Sequence, residues 1–188
     1  SNLRKSYPRW LDILSARQAS LERILKPAGF QRQRSRQLRA LLMAVYRDNV
    51  NRGISIGKDP MSDLTLNNLR NVPPKLAERF LEALPGIGPK SARCVLTYSL
   101  GQSRFAVDTH VHRIFTRLKL VDSRGRKLDH NPFESLVPES MRKRLHINLI
   151  HHGRAICRSQ NPRCGGCTLI SFCAHGLSLN VCRRGNQP

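Results

Sequence analysis

Residues 84–92 read Leu84-Pro85-Gly86-Ile87-Gly88-Pro89-Lys90-Ser91-Ala92. Leu76, Phe80 and Leu81 precede this stretch at helical spacing. Two helices joined by a tight turn are therefore expected. Glycine at 86 and 88 allows positive φ and close approach of the backbone to another group. Pro89 suits the first turn of the second helix. That helix starts at once, so its free N–H groups point out of the turn, a natural seat for a phosphate. Contacts from Gly86, Ile87, Gly88 and Lys90 would hold a polyanion backbone without reading its sequence. A Gly-x-Gly turn is common in helix hairpins, and the rest of the chain supplies the specificity.

Outward from the hairpin, helix patterns dominate and strand patterns are sparse. Ala16–Lys26 carries Leu21, Ile24 and Leu25 on one face and is stopped by Pro27 and Gly29. Arg32–Asn49 turns Leu38, Leu41, Leu42 and Val45 inward. Its first turns hold Arg32, Arg34, Arg36 and Arg39, which oppose the helix dipole unless an anion lies nearby; a solvated charged face is the alternative. Asn51–Ser62 reads as a loop. Pro73-Pro74 opens a helix to Ala83, and Pro89 opens another to about Leu100, stopped by Gly101. Asp108 is placed to cap a helix through Leu118. Ser123–Lys127 is a basic loop. Pro138 begins a long helix bearing Leu145, Ile147, Leu149 and Ile150 and reaching Cys157. The fold expected is all-α.

Composition narrows the partner. The 188 residues suit one larger domain or two small ones. Lys and Arg number 33 against 12 Asp and Glu, a formal net charge of +21. Such a surface repels itself unless a polyanion is its partner. Nucleic acid comes first, because neutralising phosphates releases counterions. An anionic membrane surface and a merely soluble basic protein come after it. No stretch approaches the roughly 20 apolar residues that span a bilayer. Ser1–Tyr7 is polar and lacks a secretory apolar core. The chain is thus expected inside the cell, in the cytoplasm or nucleoid of a bacterium or the nucleus or mitochondria of a eukaryote. Thiols stay reduced there.

Six cysteines then need a purpose other than disulfides. Cys157, Cys164, Cys167 and Cys173 are separated by six, two and five residues. Four thiolates so close together can share one metal centre. Zinc usually shows two tight pairs, and only one Cys-x-x-Cys is present. A [4Fe–4S] cluster also takes four cysteines and tolerates looser spacing. The order of preference is a cubane cluster, then zinc, then free thiols. Cys94 is expected in the core, and Cys182 is given no role.

The hairpin string is followed, after Phe105-Ala106, by Val107-Asp108-Thr109-His110-Val111. Together they resemble the helix-hairpin-helix (HhH-GPD) DNA glycosylase superfamily, and within it the endonuclease III-like branch. The 6-2-5 cysteine spacing and the lead-in His152-Gly153-Arg154 match that branch's cluster loop. The resemblance runs from about Leu14 to Cys173 and is strongest from Leu84 onward. The family usually begins with further helices, including a Gln- and Thr-containing segment that fills the gap left by a flipped base; this chain is expected to start after them. Pro89 stands where a polar residue is common. The region from Val72-Pro73-Pro74 is also similar to the plant 5-methylcytosine glycosylases.

The resemblance implies a partial six-helix barrel (1–104), an iron–sulfur lobe (105–188) with its cluster loop at 157–173, and a cleft between them. It implies that the hairpin binds duplex DNA beside a damaged base or abasic site, as a monomer and without a membrane. Lys90 is the implied nucleophile and Asp108 the second catalytic residue. Excision leaves positive charge on the sugar, which a fixed carboxylate stabilises. An amine attacking the anomeric carbon displaces the base and forms a Schiff base, and β-elimination then breaks the 3′ phosphate link. Neighbouring cations and partial burial would favour the free amine. A plain phosphate contact for Lys90 and a helix cap for Asp108 are the alternatives. The implied activity is a glycosylase and AP lyase for oxidised pyrimidines. The other readings are a modified cytosine or mismatched thymine as target, a non-catalytic iron–sulfur clamp, and a zinc-bound adaptor. Arg158 and Arg163 in the cluster loop are placed to meet phosphates. His110 and His112 are expected to be structural or DNA-facing.

Overall fold

The computed structural model describes residues 2–54, 56, 64–122 and 129–179. The basic loop 123–127, most of the 51–62 loop and Cys182 lie outside them. All regular structure among the described residues is helical, as the periodicity implies. The α-helices are α1 (Asn2–Ser6), α2 (Trp10–Ser15), α3 (Gln18–Leu25), α4 (Gln31–Asn51), α5 (Pro74–Ala83), α6 (Pro89–Cys94), α7 (Thr109–Arg117), α8 (Asn131–Ser135), α9 (Glu139–Ala155) and α10 (Ala174–Ser178). No helix of the described residues is long and apolar enough to cross a membrane.

The chain divides into two compact units, Ser1–Ala92 and Arg93–Pro188. The expected boundary at 104/105 falls inside the second. Arg93 accounts for the earlier division. It is buried, and its guanidinium donates to Glu134 Oε2 (2.8 Å), Asn131 Oδ1 (3.1 Å) and Phe105 O (3.3 Å). All three partners belong to the second unit, so residues 93–104 fold with that unit and not with the hairpin that precedes them.

In the first unit α2 and α3 pack on the 21-residue α4. Ile13, Leu21, Leu42, Val45, Leu69 and Leu81 are buried. Arg39 turns back and donates to Ala16 O, leaving Arg32, Arg34 and Arg36 exposed. Asn49 is buried and pairs with the Thr65 backbone through both amide groups, at 2.8 and 3.0 Å. The chain returning from the 51–62 region is thereby fixed to α4. On α5 the buried positions are Ala77, Glu78 and Leu81. Leu76, expected inside, is 54% exposed. The line Ala77–Leu81–Leu84 sets the inward face, and Leu76 lies about 100° off it.

The second unit is built on α7 against α9. Its core holds Phe105, Val107, Val111, Ile114, Phe115, Phe133, Val137 and Leu149. On α9 the buried residues are His146, Leu149 and Gly153, whereas Ile147 is 40% exposed. Gly153 is needed there. A Cβ at 153 would come within 2.5 Å of His110 Nδ1 and 2.8 Å of its Cβ.

Candidate functional site

The hairpin closes as expected. α5 ends at Leu84, whose carbonyl accepts from Ile87 N at 3.2 Å. Pro85 and Gly86 occupy the centre of that turn, and Gly86 has φ +78°, the pattern of a type II turn. The turn lies over α4, with Gln37 side-chain atoms 3.5–3.6 Å from where a Gly86 Cβ would be. Gly88 O accepts the first helical bond from Ala92 N (2.9 Å). Gly86, Gly88 and Lys90 are exposed and Ile87 is half-buried. Lys90 stands on the first turn of α6; the partial burial expected for it is not present. Cys94, expected in the core, is half-buried.

Asp108 caps α7. Its Oδ1 accepts from His110 N (2.9 Å) and Val111 N (2.8 Å), which leaves Oδ2 outside the cap. The approach to Asp108 is extended backbone, and its N–H groups need partners. Phe105 N donates to Glu134 Oε2 (2.9 Å) and Val107 N to His130 Nδ1 (3.1 Å). Glu134 in turn sits among Arg93 (2.8 Å), Arg104 (2.5 Å) and Arg142 (3.5 Å). Glu134 and His130 thus fix the carboxylate's backbone. Sequence reasoning missed both, since their partners lie 23 to 41 residues away. His110 and His112 are packed: His110 covers Gly153 and lies 3.0 Å from Arg113 Nη2, and His112 stacks near Phe133 at 5.9 Å.

Phe30 was also missed. It is 78% exposed, at φ +49°, on the residue that precedes α4. Left-handed backbone at a non-glycine residue costs about 1 kcal/mol or more. Arg32 and Arg34, two and four residues on, are also exposed, and an exposed aromatic ring can contact nucleic-acid bases. The signal in the sequence is Gly29-Phe30 directly before an arginine-rich helix.

The four cysteines come together. Cys157, Cys164, Cys167 and Cys173 line one cavity, about 380 Å³ of atom-free space including its mouth, with Ile114, Leu118, Ile156 and Ile170. Among the described residues no three His, Cys, Asp or Glu side chains stand close enough to share a single metal ion. The loop is closed by Arg163 N donating to Ile156 O (3.0 Å). Arg117 Nη1 donates to Cys157 Sγ (3.3 Å) and Gly176 N to Cys173 Sγ (3.4 Å). Burial, then the charges of Cys167, Cys173 and Cys157, push the Cys164 thiol up, while Arg117 opposes them. Hydrogen-bond donors to cysteine sulfurs are a feature of iron–sulfur sites. Arg158 and Arg163 are exposed on this loop.

Residues 2–139 match the HhH-GPD superfamily base excision DNA repair protein family. Endonuclease III of Escherichia coli K12 is 36% identical over 101 residues, 54% of this chain and 48% of that protein. DEMETER-like protein 3 of Arabidopsis thaliana is 30% identical over 191 residues, 92% of this chain and 17% of that protein. A solved non-covalent endonuclease III–DNA complex superposes with a TM-score of 0.75 at 25% identity, covering 95% of this chain and 74% of that one. The chain spans about half the length of the endonuclease III proteins it matches. With most of its length inside the family match, the chain belongs to the HhH-GPD superfamily of base excision DNA repair proteins.

Proposed function

We propose that this chain carries the DNA-binding and catalytic elements of a base-excision glycosylase with AP lyase activity. The observation that carries the reading is the state of the two motif residues. Lys90 is exposed on the first turn after the hairpin, and Asp108 is fixed by its cap with one carboxylate oxygen left outside it. Gly86, Ile87, Gly88 and the α6 N-terminus seat backbone phosphates, and Arg158 and Arg163 add charge from the cysteine loop. The Lys90 amine attacks C1′ of the target nucleotide. The C1′–N bond breaks, the base leaves with the bonding pair and takes up the proton the amine sheds, and the C1′–O4′ bond then opens, with O4′ protonated, to give the Schiff base. Asp108 stabilises the positive charge that develops on the sugar. β-Elimination then expels the 3′ phosphate.

Cys157, Cys164, Cys167 and Cys173 would hold a [4Fe–4S] cluster. The cavity they line and the hydrogen bonds to two of their sulfurs suit it. When bound, the cluster supplies a covalent brace for residues 157–173, and no chemical step passes through it. The partner is duplex DNA bearing a damaged base or abasic site, bound by a monomer inside the cell.

The reading is tested with duplexes carrying one oxidised pyrimidine, one 5-methylcytosine or one T·G mismatch, with Lys90→Gln beside the parent. Base release and strand cleavage on the first duplex, both lost in the variant, are expected. Release from only the second or third moves the target to a modified cytosine or mismatched thymine. Duplex binding that survives Lys90→Gln, with no cleavage by the parent, identifies a non-catalytic clamp.

A further inference from the structure

Tyr98 has no part in that reading. It stands on Val95–Ser99, where α6 continues as a π-helical turn. Leu100 N reaches Val95 O at 3.1 Å and Gln102 N reaches Leu96 O at 2.9 Å. Such turns re-aim side chains and recur at functional sites. The turn is tied to the segment leading to Asp108: Thr97 Oγ1 donates to Arg104 O (2.6 Å) and accepts from Arg104 N (3.3 Å).

The Tyr98 ring is 38% exposed, yet its hydroxyl lies 2.5 Å from Nδ1 of His146, which is 4% exposed. The His146 ring meets Phe105 edge-on at 6.4 Å. A residue set in the core therefore holds a surface aromatic ring in one orientation. The phenol is pushed up by burial first, then by Cys94 and Asp108. Lys143 Nζ is 5.8 Å from the ring centroid. Lys143 thus lies over the ring, and an exposed aromatic ring with a nearby cation matches the chemistry that binds an unpaired base and its phosphate.

We propose that Tyr98, held by its hydrogen bond to buried His146, is the wall against which the unpaired target base is stacked, with the sugar presented to Asp108. The assignment rests on the glycosylase reading and makes Tyr98 a positioning residue that acts on the base. Bases extracted from the duplex are held against aromatic and apolar side chains in this way.

The test measures binding in a Lys90→Gln background, where neither probe is consumed. One duplex carries 5-hydroxyuracil opposite guanine, and the other a tetrahydrofuran abasic analogue at the same position. Adding Tyr98→Ala is expected to weaken the base-bearing duplex about 5- to 100-fold, the range for loss of one base–aromatic stack. Affinity for the abasic duplex should change less than about twofold, which also reports an intact fold. Tyr98→Phe, which keeps the ring and removes the anchor, should recover only part of the difference; full recovery would show that the His146 bond plays no part. Equal loss on both duplexes, or loss on neither, overturns the assignment. Absence of Schiff-base trapping by the parent would sink the lyase reading separately, while a base-dependent difference would still support Tyr98.

Discussion

Asp108 caps α7 and, in the proposed reaction, also stabilises charge on the sugar; the two roles can be separated. Asparagine caps helices about as well as aspartate but carries no charge. Asp108→Asn should therefore leave the thermal midpoint near that of the parent while base excision falls about 10²-fold or more, the scale of a lost transition-state contact. A matching loss of stability and activity would reduce Asp108 to a cap. Phe30 shows the opposite trade. Its φ of +49° is strained and its ring is 78% exposed, so Phe30→Gly sheds strain and loses little burial. We expect it to stabilise the fold by about 1 kcal/mol and to weaken binding to a mismatched duplex. Denaturation and binding on the same preparation check both halves. Neither feature of Phe30 was legible as a function in the sequence, because exposure and left-handed backbone are properties of the folded chain.

At the scale of elements, α5 and α9 show where sequence reading works and where it stops. Pro74, Pro138 and apolar spacing were enough to locate both helices. Their inward faces were only partly legible. Leu76 and Ile147 are apolar yet point out, while Glu78 and His146 are polar and buried. Apolar counts cannot register a buried polar residue whose partner is distant, such as His146 with Tyr98, 48 positions away. The same limit hid Glu134 and His130, which hold the backbone before Asp108. The hairpin was legible because it is local: proline, glycine and spacing determine a turn within a few residues. Gly153 tests the α7–α9 contact. Gly153→Ala drives a methyl group into the His110 ring, and such overpacking costs about 1–3 kcal/mol. A lowered urea midpoint at unchanged slope is expected; an unchanged midpoint would mean that the two helices can part without cost.

For the whole molecule, the net charge of +21 pointed to a polyanion, and family membership now makes DNA the natural one. The four cysteines were readable as a set because their spacing is local, and they line one cavity in the folded chain. The chain isolated without oxygen is expected to carry about four irons. Cys164→Ser together with Cys167→Ser should remove them and lower stability. A zinc-containing, colourless parent would replace the cluster with a single ion.

The central claim is that Lys90 is a nucleophile. It is tested most directly by borohydride trapping on a duplex with one abasic site, comparing the parent with Lys90→Gln. A covalent protein–DNA complex is expected with the parent and none with the variant, although both bind the duplex. A complex that persists in Lys90→Gln, or a parent that binds tightly and is never trapped, would contradict it.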